Sequence, residues 1–289
     1  MSTEQRNPDT YDLDRLQTPE IVMAINRADQ AVALTVASAI DPIARAVDAI
    51  ASRMSKGGRV FFVGSGTSGR LGVMEAAECP PTFGVPADLF QGIIAGGYEA
   101  CRATAEGAED DAGQAALDLA ERGVGEKDVV VGVSASGRTP YTLAAVRHAR
   151  ALGALTVGIA CSRKSELSRQ VDLAIEVDTG PEVLAGSTRM KAGTAQKMIL
   201  NMISTSVMAR LGHVYSNLMV NVTPTSRKLL ERAVQIIMQL TGASEAKART
   251  TLEKAEDVKT AVVMLKLQCG VREAREKLRA ARNLREVIG

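Results

Sequence analysis

RVFFVGSGTSGRLGVMEAAECPPTFG, residues 59–84, is the stretch from which the fold is read. Val60 to Val63 is a short apolar run with the length and β-branched content of a buried parallel strand. Gly64-Ser65-Gly66-Thr67-Ser68-Gly69 follows at once, and Arg70 to Ala77 has helical character. A strand that feeds a glycine- and hydroxyl-rich turn opening a helix is an anion site, because the turn's N–H groups and the helix N-terminus converge on one point. The spacing predicts a phosphorylated ligand held by Ser65, Gly66, Thr67 and Ser68.

The same letters satisfy G-x-G-x-x-G, the dinucleotide fingerprint, which also requires an acidic residue at the tip of the next strand to hold a ribose. That next run, Leu89 to Ile94, ends in Ala95-Gly96-Gly97 and carries no carboxylate. Three hydroxyls in the turn suit a compact phosphate monoester better than a dinucleotide. The lysine of the Walker pattern is missing as well.

Outward from this stretch, apolar runs recur at Val129–Val133, Leu155–Ala160 and Leu173–Val177, with helical segments between most of them. Such alternation predicts an α/β fold: a doubly wound, mostly parallel sheet with helices on both faces and ligands outside the carboxyl ends of its strands. Upstream, residues 1–17 are polar and read as a surface segment. Thr18-Pro19-Glu20 and Asp41-Pro42 each read as a helix start, with Thr18 as the first cap. The second helix runs to about Ser55, and Lys56-Gly57-Gly58 ends it. Downstream, Arg227 to Gly289 carries 14 Lys and Arg against 8 Asp and Glu, but the acids are interspersed at helical spacing, which marks a solvated helical face. Short amphipathic helices are expected there at Ser226–Leu240, Ser244–Ala255, Lys259–Leu267 and Val271–Arg282. The chain thus divides into an N-terminal helical segment (1–52), a sheet domain (53–220) and a small C-terminal helical appendage (221–289).

Composition excludes several classes. A formal charge of +2 gives no global field for nucleic acid, and 3% aromatics with no Trp removes stacking platforms for single strands. No apolar run reaches the roughly 18 residues of a membrane span, and Met1 to Leu16 is too polar for a signal peptide, so the expected location is the cytoplasm. Cys79, Cys101, Cys161 and Cys269 are widely spaced, and only His148 and His213 accompany them, so neither a metal site nor a Cys–His nucleophile is expected.

A second turn of the same chemistry, Ser134-Ala135-Ser136-Gly137-Arg138-Thr139-Pro140, ends the third strand. Pro140 suits the first helical position and Thr139 its cap, so Ser134, Ser136 and Thr139 would ring another helix N-terminus. A third cluster contains Ser187 and Thr188 and precedes a long apolar helix, so it could close the pocket. For acid–base work the candidates are Glu75 and Glu78, the latter followed by Cys79 and the stiff pair Pro80-Pro81, and Glu106 and Glu109, which an i, i+3 spacing would put on one helix face. Pattern alone does not choose between these pairs.

GSGTSGRLG, AAECPPTFG, IIAGG, EGAEDD, VGVSASGRTPY and STRMKAGTAQKMILNM together resemble, in order and spacing, the N-acetylmuramic acid 6-phosphate etherases. The likeness runs from about Asp14 through the helical tail. It implies a sugar isomerase (SIS) fold and a cofactor-free, metal-free, homodimeric enzyme. Its implied reaction splits the D-lactyl ether of N-acetylmuramate 6-phosphate into N-acetylglucosamine 6-phosphate and D-lactate, in recycling of cell-wall amino sugars. The family's two catalytic glutamates fall on Glu78 as the acid and Glu109 as the base, and its S-x-S-G-x-T phosphate turn falls on Ser134, Ser136, Gly137 and Thr139. Departures are minor: Ser65, Ala77 and Phe83 stand where members often carry Ala, Ser and Tyr, and Phe83 lacks the hydroxyl of a tyrosine. Two other classes share the expected fold. One is a non-catalytic sugar-phosphate regulator similar to glucokinase regulatory proteins, which are longer and duplicated; the other is an aldose–ketose isomerase. Release of lactate separates the etherase from both.

Overall fold

The computed structural model describes residues 2–224 and 226–289. The chain forms two compact units: Met1–Ala77 with Asp88–Ser204, and Glu78–Ala87 with Thr205–Gly289.

In the first unit, three short 3₁₀ turns precede α1 (Thr18–Ala37) and α2 (Ile40–Met54). The N-terminal segment is more than a surface drape, since Thr3 is buried and the Thr10 hydroxyl donates to the Val183 carbonyl at 2.8 Å. The cap of α1 is Gln17 rather than Thr18; its backbone N–H donates to Glu20 Oε2 at 2.8 Å, so the reach of a Glu three residues in, not a hydroxyl, sets the start. Next come β1 (Val60–Gly64), α3 (Gly66–Phe83), β2 (Phe90–Ile94), α4 (Ala112–Glu121), β3 (Val129–Ser134), α5 (Pro140–Ala151), β4 (Leu155–Ala160), β5 (Leu173–Glu176) and α6 (Lys191–Arg210).

The five strands pair in parallel in the order β2-β1-β3-β4-β5. All five coincide with the expected apolar runs to within one residue at either end. Alternate side chains go to opposite faces, so Phe61 and Val63 join Leu119, Tyr141 and Val146 of α4 and α5 in one core. Phe62 faces the other way, where Gly72 of α3 lies so close that a Cβ there would stand 2.9 Å from the Phe62 Cβ. Helices therefore cover both faces. The strand order reverses direction between β1 and β3, and in such sheets the crevice for ligands opens there, beyond the carboxyl ends.

In the second unit, α7 (Arg227–Thr241), α8 (Glu245–Ala255), α9 (Val258–Leu267), α10 (Val271–Ala280) and α11 (Leu284–Ile288) enclose a separate apolar core that includes Val234, Ile237, Leu252, Val262 and Leu284. Side chains of Ser226, Ser244, Asp257 and Asn283 cap four of these helices. Helix α11, which Asn283 caps, lies beyond the amphipathic stretches read from the sequence. Among the described residues, no helix is long and apolar enough to cross a membrane.

Candidate active site

The first hydroxyl turn is shorter than its sequence reads. Only Ser65 separates β1 from α3, and Thr67, Ser68 and Gly69 are already helical. Gly66 opens the helix at φ +51°, a left-handed conformation that side chains resist. Gly69 permits the close packing of helix on strand, for a Cβ there would lie 2.6 Å from both the Gly64 carbonyl oxygen and Ile94 Cγ1. The two glycines are thus explained by backbone geometry.

The hydroxyls of this turn separate into different surroundings. Ser65 Oγ lies 3.5 Å from Glu109 Oε2, a long contact of the kind that tightens in a substrate complex. Thr67 lies against α6, its methyl 3.4 Å from where a Cβ on Gly193 would stand. Ser68 is buried, and its hydroxyl donates to Gln196 at 2.9 Å, so this side chain braces α6 and leaves only its backbone N–H for a ligand.

Ser65 and Gly66 form one wall of a cavity of about 340 Å³, whose opposite wall is the segment from Thr104 to Glu109. That segment is not the continuous helix its spacing predicts. Gly107 turns at φ +73°, Ala108–Asp110 is a single 3₁₀ turn, and Glu106 and Glu109 meet at the cavity rather than on a helix face. Both are exposed. Arg70, which sequence reasoning passed over, also lines the cavity, and its guanidinium donates to the carbonyls of Cys101 at 3.3 Å and Ala103 at 3.1 Å. It fastens the segment carrying Glu109 to α3. A signal was available, since Gly66 and Arg70 are four apart and so share one face of the helix.

The second turn emerges beside the first, because Gly64 and Val133 are register partners. Ser134 Oγ accepts the Gly137 N–H at 3.0 Å and lies 2.9 Å from Thr139 Oγ1, while Ser136 Oγ accepts the Arg138 N–H at 3.2 Å. Thr139 does occupy the cap position of α5, with Pro140 next, but its hydroxyl is drawn to Ser134 and no side chain caps the helix. The start of α5 therefore has no hydrogen bond from the side chain of its own cap residue. Gly137, at φ +66°, packs on Ser165, where a Cβ would come within 2.5 Å.

The third cluster differs. The N-terminus of α6 is occupied by the buried Glu182 carboxylate, which accepts the N–H groups of Lys191 at 2.9 Å and Ala192 at 3.0 Å. The Lys191 ammonium turns to the Thr179 carbonyl at 2.7 Å. Half-buried Ser187 and Thr188 precede this helix start. Nearby Cys161 is buried, and that burial, with the Glu182 charge adding to it, pushes its thiol up to about 12, so it is inert as a nucleophile.

Glu78 belongs to the second unit and is exposed. Its helix does not stop before Pro80-Pro81, as the sequence implies, but carries both prolines in its last turns and ends at Phe83. Glu75, the other candidate on that helix, is buried, and both Asn201 and Ser204 donate to its carboxylate, which makes it a structural acid.

Comparison with known proteins completes the picture. The family models described as glucokinase regulatory protein N-terminal SIS domain and as SIS domain match residues 42–150 and 113–206. In fold the chain is similar to a phosphoheptose isomerase from Francisella tularensis, with TM-score 0.51, 17% identity, and 67% of this chain and 100% of that chain covered. It is also similar to a protein of E. coli CFT073 solved as a ligand complex, with TM-score 0.50, 20% identity, and 70% of this chain and 97% of that chain covered. The sheet is thus that of the SIS fold. Among curated relatives, an N-acetylmuramic acid 6-phosphate etherase of Geobacillus sp. (strain WCH70) is 50% identical over 97% of this chain and 96% of its own length. Another from Lactobacillus gasseri is 49% identical over 100% of this chain and 98% of its own.

Proposed function

The chain belongs to the N-acetylmuramic acid 6-phosphate etherase family, and from that premise we propose that it cleaves the D-lactyl ether of N-acetylmuramate 6-phosphate, yielding N-acetylglucosamine 6-phosphate and D-lactate in cell-wall amino-sugar recycling. Identity of about one residue in two over nearly the entire chain carries this reading.

An alkyl ether resists direct hydrolysis. Opening the sugar ring to its aldehyde makes the C2 proton acidic and sets the C3 lactyl oxygen β to the carbanion that results. Glu109 takes the C2 proton, the C3–O bond breaks, and Glu78 protonates the departing lactate oxygen. Water then adds at C3 while a proton returns to C2, which balances substrate plus water against the two products. General acid–base help of this kind contributes about 10²–10⁴-fold per group. The uncapped start of α5 and the half-buried Ser65, Thr67, Ser136 and Thr139 support a phosphate grip by Ser65, Gly66, Thr67, Ser134, Ser136, Gly137 and Thr139, with the Ser68 N–H, and with Ser187 and Thr188 at its edge.

The test is incubation of pure protein with N-acetylmuramate 6-phosphate and assay of free D-lactate. In heavy water the amino-sugar product is expected to carry deuterium at C2, and in ¹⁸O-water the label is expected in its C3 hydroxyl and not in lactate. Sugar-phosphate binding without lactate release would favour a regulator instead. We also infer a cytoplasmic homodimer. Exposed Met23 and Leu34, 11 residues and so three turns apart on one face of α1, support pairing, which light scattering tests.

A further inference from the structure

The turn of α3 that carries Glu78 is poorly supported by its own helix. Pro80 and Pro81 have no N–H, so the carbonyls of Ala76 and Ala77, four residues back, receive no ladder bond from them. A carboxylate that must deliver a proton to one oxygen atom needs a fixed backbone, and here the fixing comes from outside the helix.

The Phe83 carbonyl, at the end of α3, lies 3.0 Å from His213 Nδ1. A carbonyl can only accept, so Nδ1 carries the proton and donates it. The Asn221 amide nitrogen Nδ2 lies 2.6 Å from the same ring nitrogen, and because a protonated Nδ1 cannot accept from it, we assign the amide with its nitrogen and oxygen exchanged, so that the oxygen shares that N–H. One residue past Phe83, Gly84 turns at φ +61° and passes so close to Asn221 that a Cβ would fall 2.0 Å from the Asn221 carbonyl oxygen. The neighbouring Gly212 carbonyl accepts the Lys259 ammonium at 2.8 Å. Burial, and to a lesser degree that ammonium, hold His213 below the ordinary histidine value against the raising effect of its bond to Phe83. Every one of these partners belongs to the helical unit that also contains Glu78–Ala87.

We propose that His213 is a positioning residue that pins the last turns of α3 and thereby aims Glu78, with the C-terminal helices as the platform for that pin. The inference rests on the reading of Glu78 as the acid in the proposed reaction.

Two polar replacements test it. Asn at position 213 carries its amide N–H near the place of Nδ1 and still reaches the Phe83 carbonyl, whereas Gln carries it near the place of Nε2 and does not. H213N is expected to keep kcat within about threefold, and H213Q to lose at least tenfold in kcat with KM nearly unchanged, since a small displacement of an aimed group costs turnover rather than grip. Amide exchange measured by mass spectrometry is expected to speed up across residues 78–87 in H213Q and not in H213N. Equal kcat values in the two variants, or faster exchange without loss of kcat, would overturn the positioning role. E78A serves as the reference. Near-normal turnover there would sink the Glu78 assignment itself, while an inactive E78A beside indistinguishable His213 variants would sink only the pin.

Discussion

The two ends of the β1–β3 pair are built from opposite chemistry. At the entering end, Arg59 and Asp128 immediately precede the strands, and the Asp128 carboxylate accepts the Arg59 N–H at 2.9 Å, its guanidinium at 2.8 and 3.2 Å, and the Gly125 N–H at 3.0 Å. The same guanidinium also donates to the carbonyls of Arg122 and Gly123. At the leaving end, Ser65 makes one long contact, α5 has no side-chain cap, and Glu106 and Glu109 face a cavity. Where charge is saturated it contributes stability, and where donors and carboxylates are left open they are free for a ligand. Stability and turnover should therefore be separable by substitution at opposite ends of one strand pair.

The largest expected effect is at the open end. Glu109→Gln keeps shape and loses the base, so turnover with N-acetylmuramate 6-phosphate should fall at least ~100-fold while the denaturation midpoint stays put. A variant that unfolds in parallel with its loss of rate would break the contrast. At the saturated end, Asp128→Ala removes the acceptor of four N–H donors, two of them on the Arg59 guanidinium. It should cost about 2–3 kcal/mol in urea unfolding with kcat unchanged. A normal midpoint there would show the network to be ornamental.

Intermediate effects sharpen the contrast further. Ser134→Ala removes the acceptor for the Gly137 N–H and the partner of Thr139, which frees the second hydroxyl turn. About a tenfold rise in KM, with a much smaller loss in kcat, is expected if this turn grips phosphate. The leaving end is not uniformly open. Glu176, on the last strand and away from the β1–β3 crevice, accepts the N–H groups of Lys164 and Ser165 at 3.0 and 2.9 Å and so braces the turn on which Gly137 rests.

What the sequence discloses follows the range of the forces involved. Five strands and two hydroxyl turns are legible because an apolar run between glycines and polar breakers carries its own boundaries. Helix α11 had a local signal too, an Asn283 cap with Glu286 three residues on, but five residues give periodicity little room. Partners distant in sequence are another matter. Arg70 meets carbonyls 31 and 33 residues away, and Ser68 meets Gln196 at a separation of 128, so no spacing rule foretells that one hydroxyl faces the cavity and the other the core. The continuation of α3 through two prolines was hidden for a similar reason: local preference argues for a stop, while Phe83 and Gly84 are held by His213 and Asn221 from another part of the chain.

The smallest expected effect is a titration. Asp128 is buried, which by itself would raise its pKa, but the hydrogen bonds from Arg59 and Gly125 outweigh burial and hold it below the ordinary carboxylate value. A carboxylate with a depressed pKa in the fold contributes stability that is present above its unfolded value, near 3.9, and is lost as pH falls through the folded value. Asp128→Asn keeps the shape and has no charge to lose. The stability gap between the native protein and this variant should be constant from about pH 7 to pH 5 and shrink below about pH 4, as read from urea midpoints across that range. A gap that persists unchanged at the acid end would mean that the amide fails for reasons of fit, and the entering end of the sheet would then be held by shape rather than by charge.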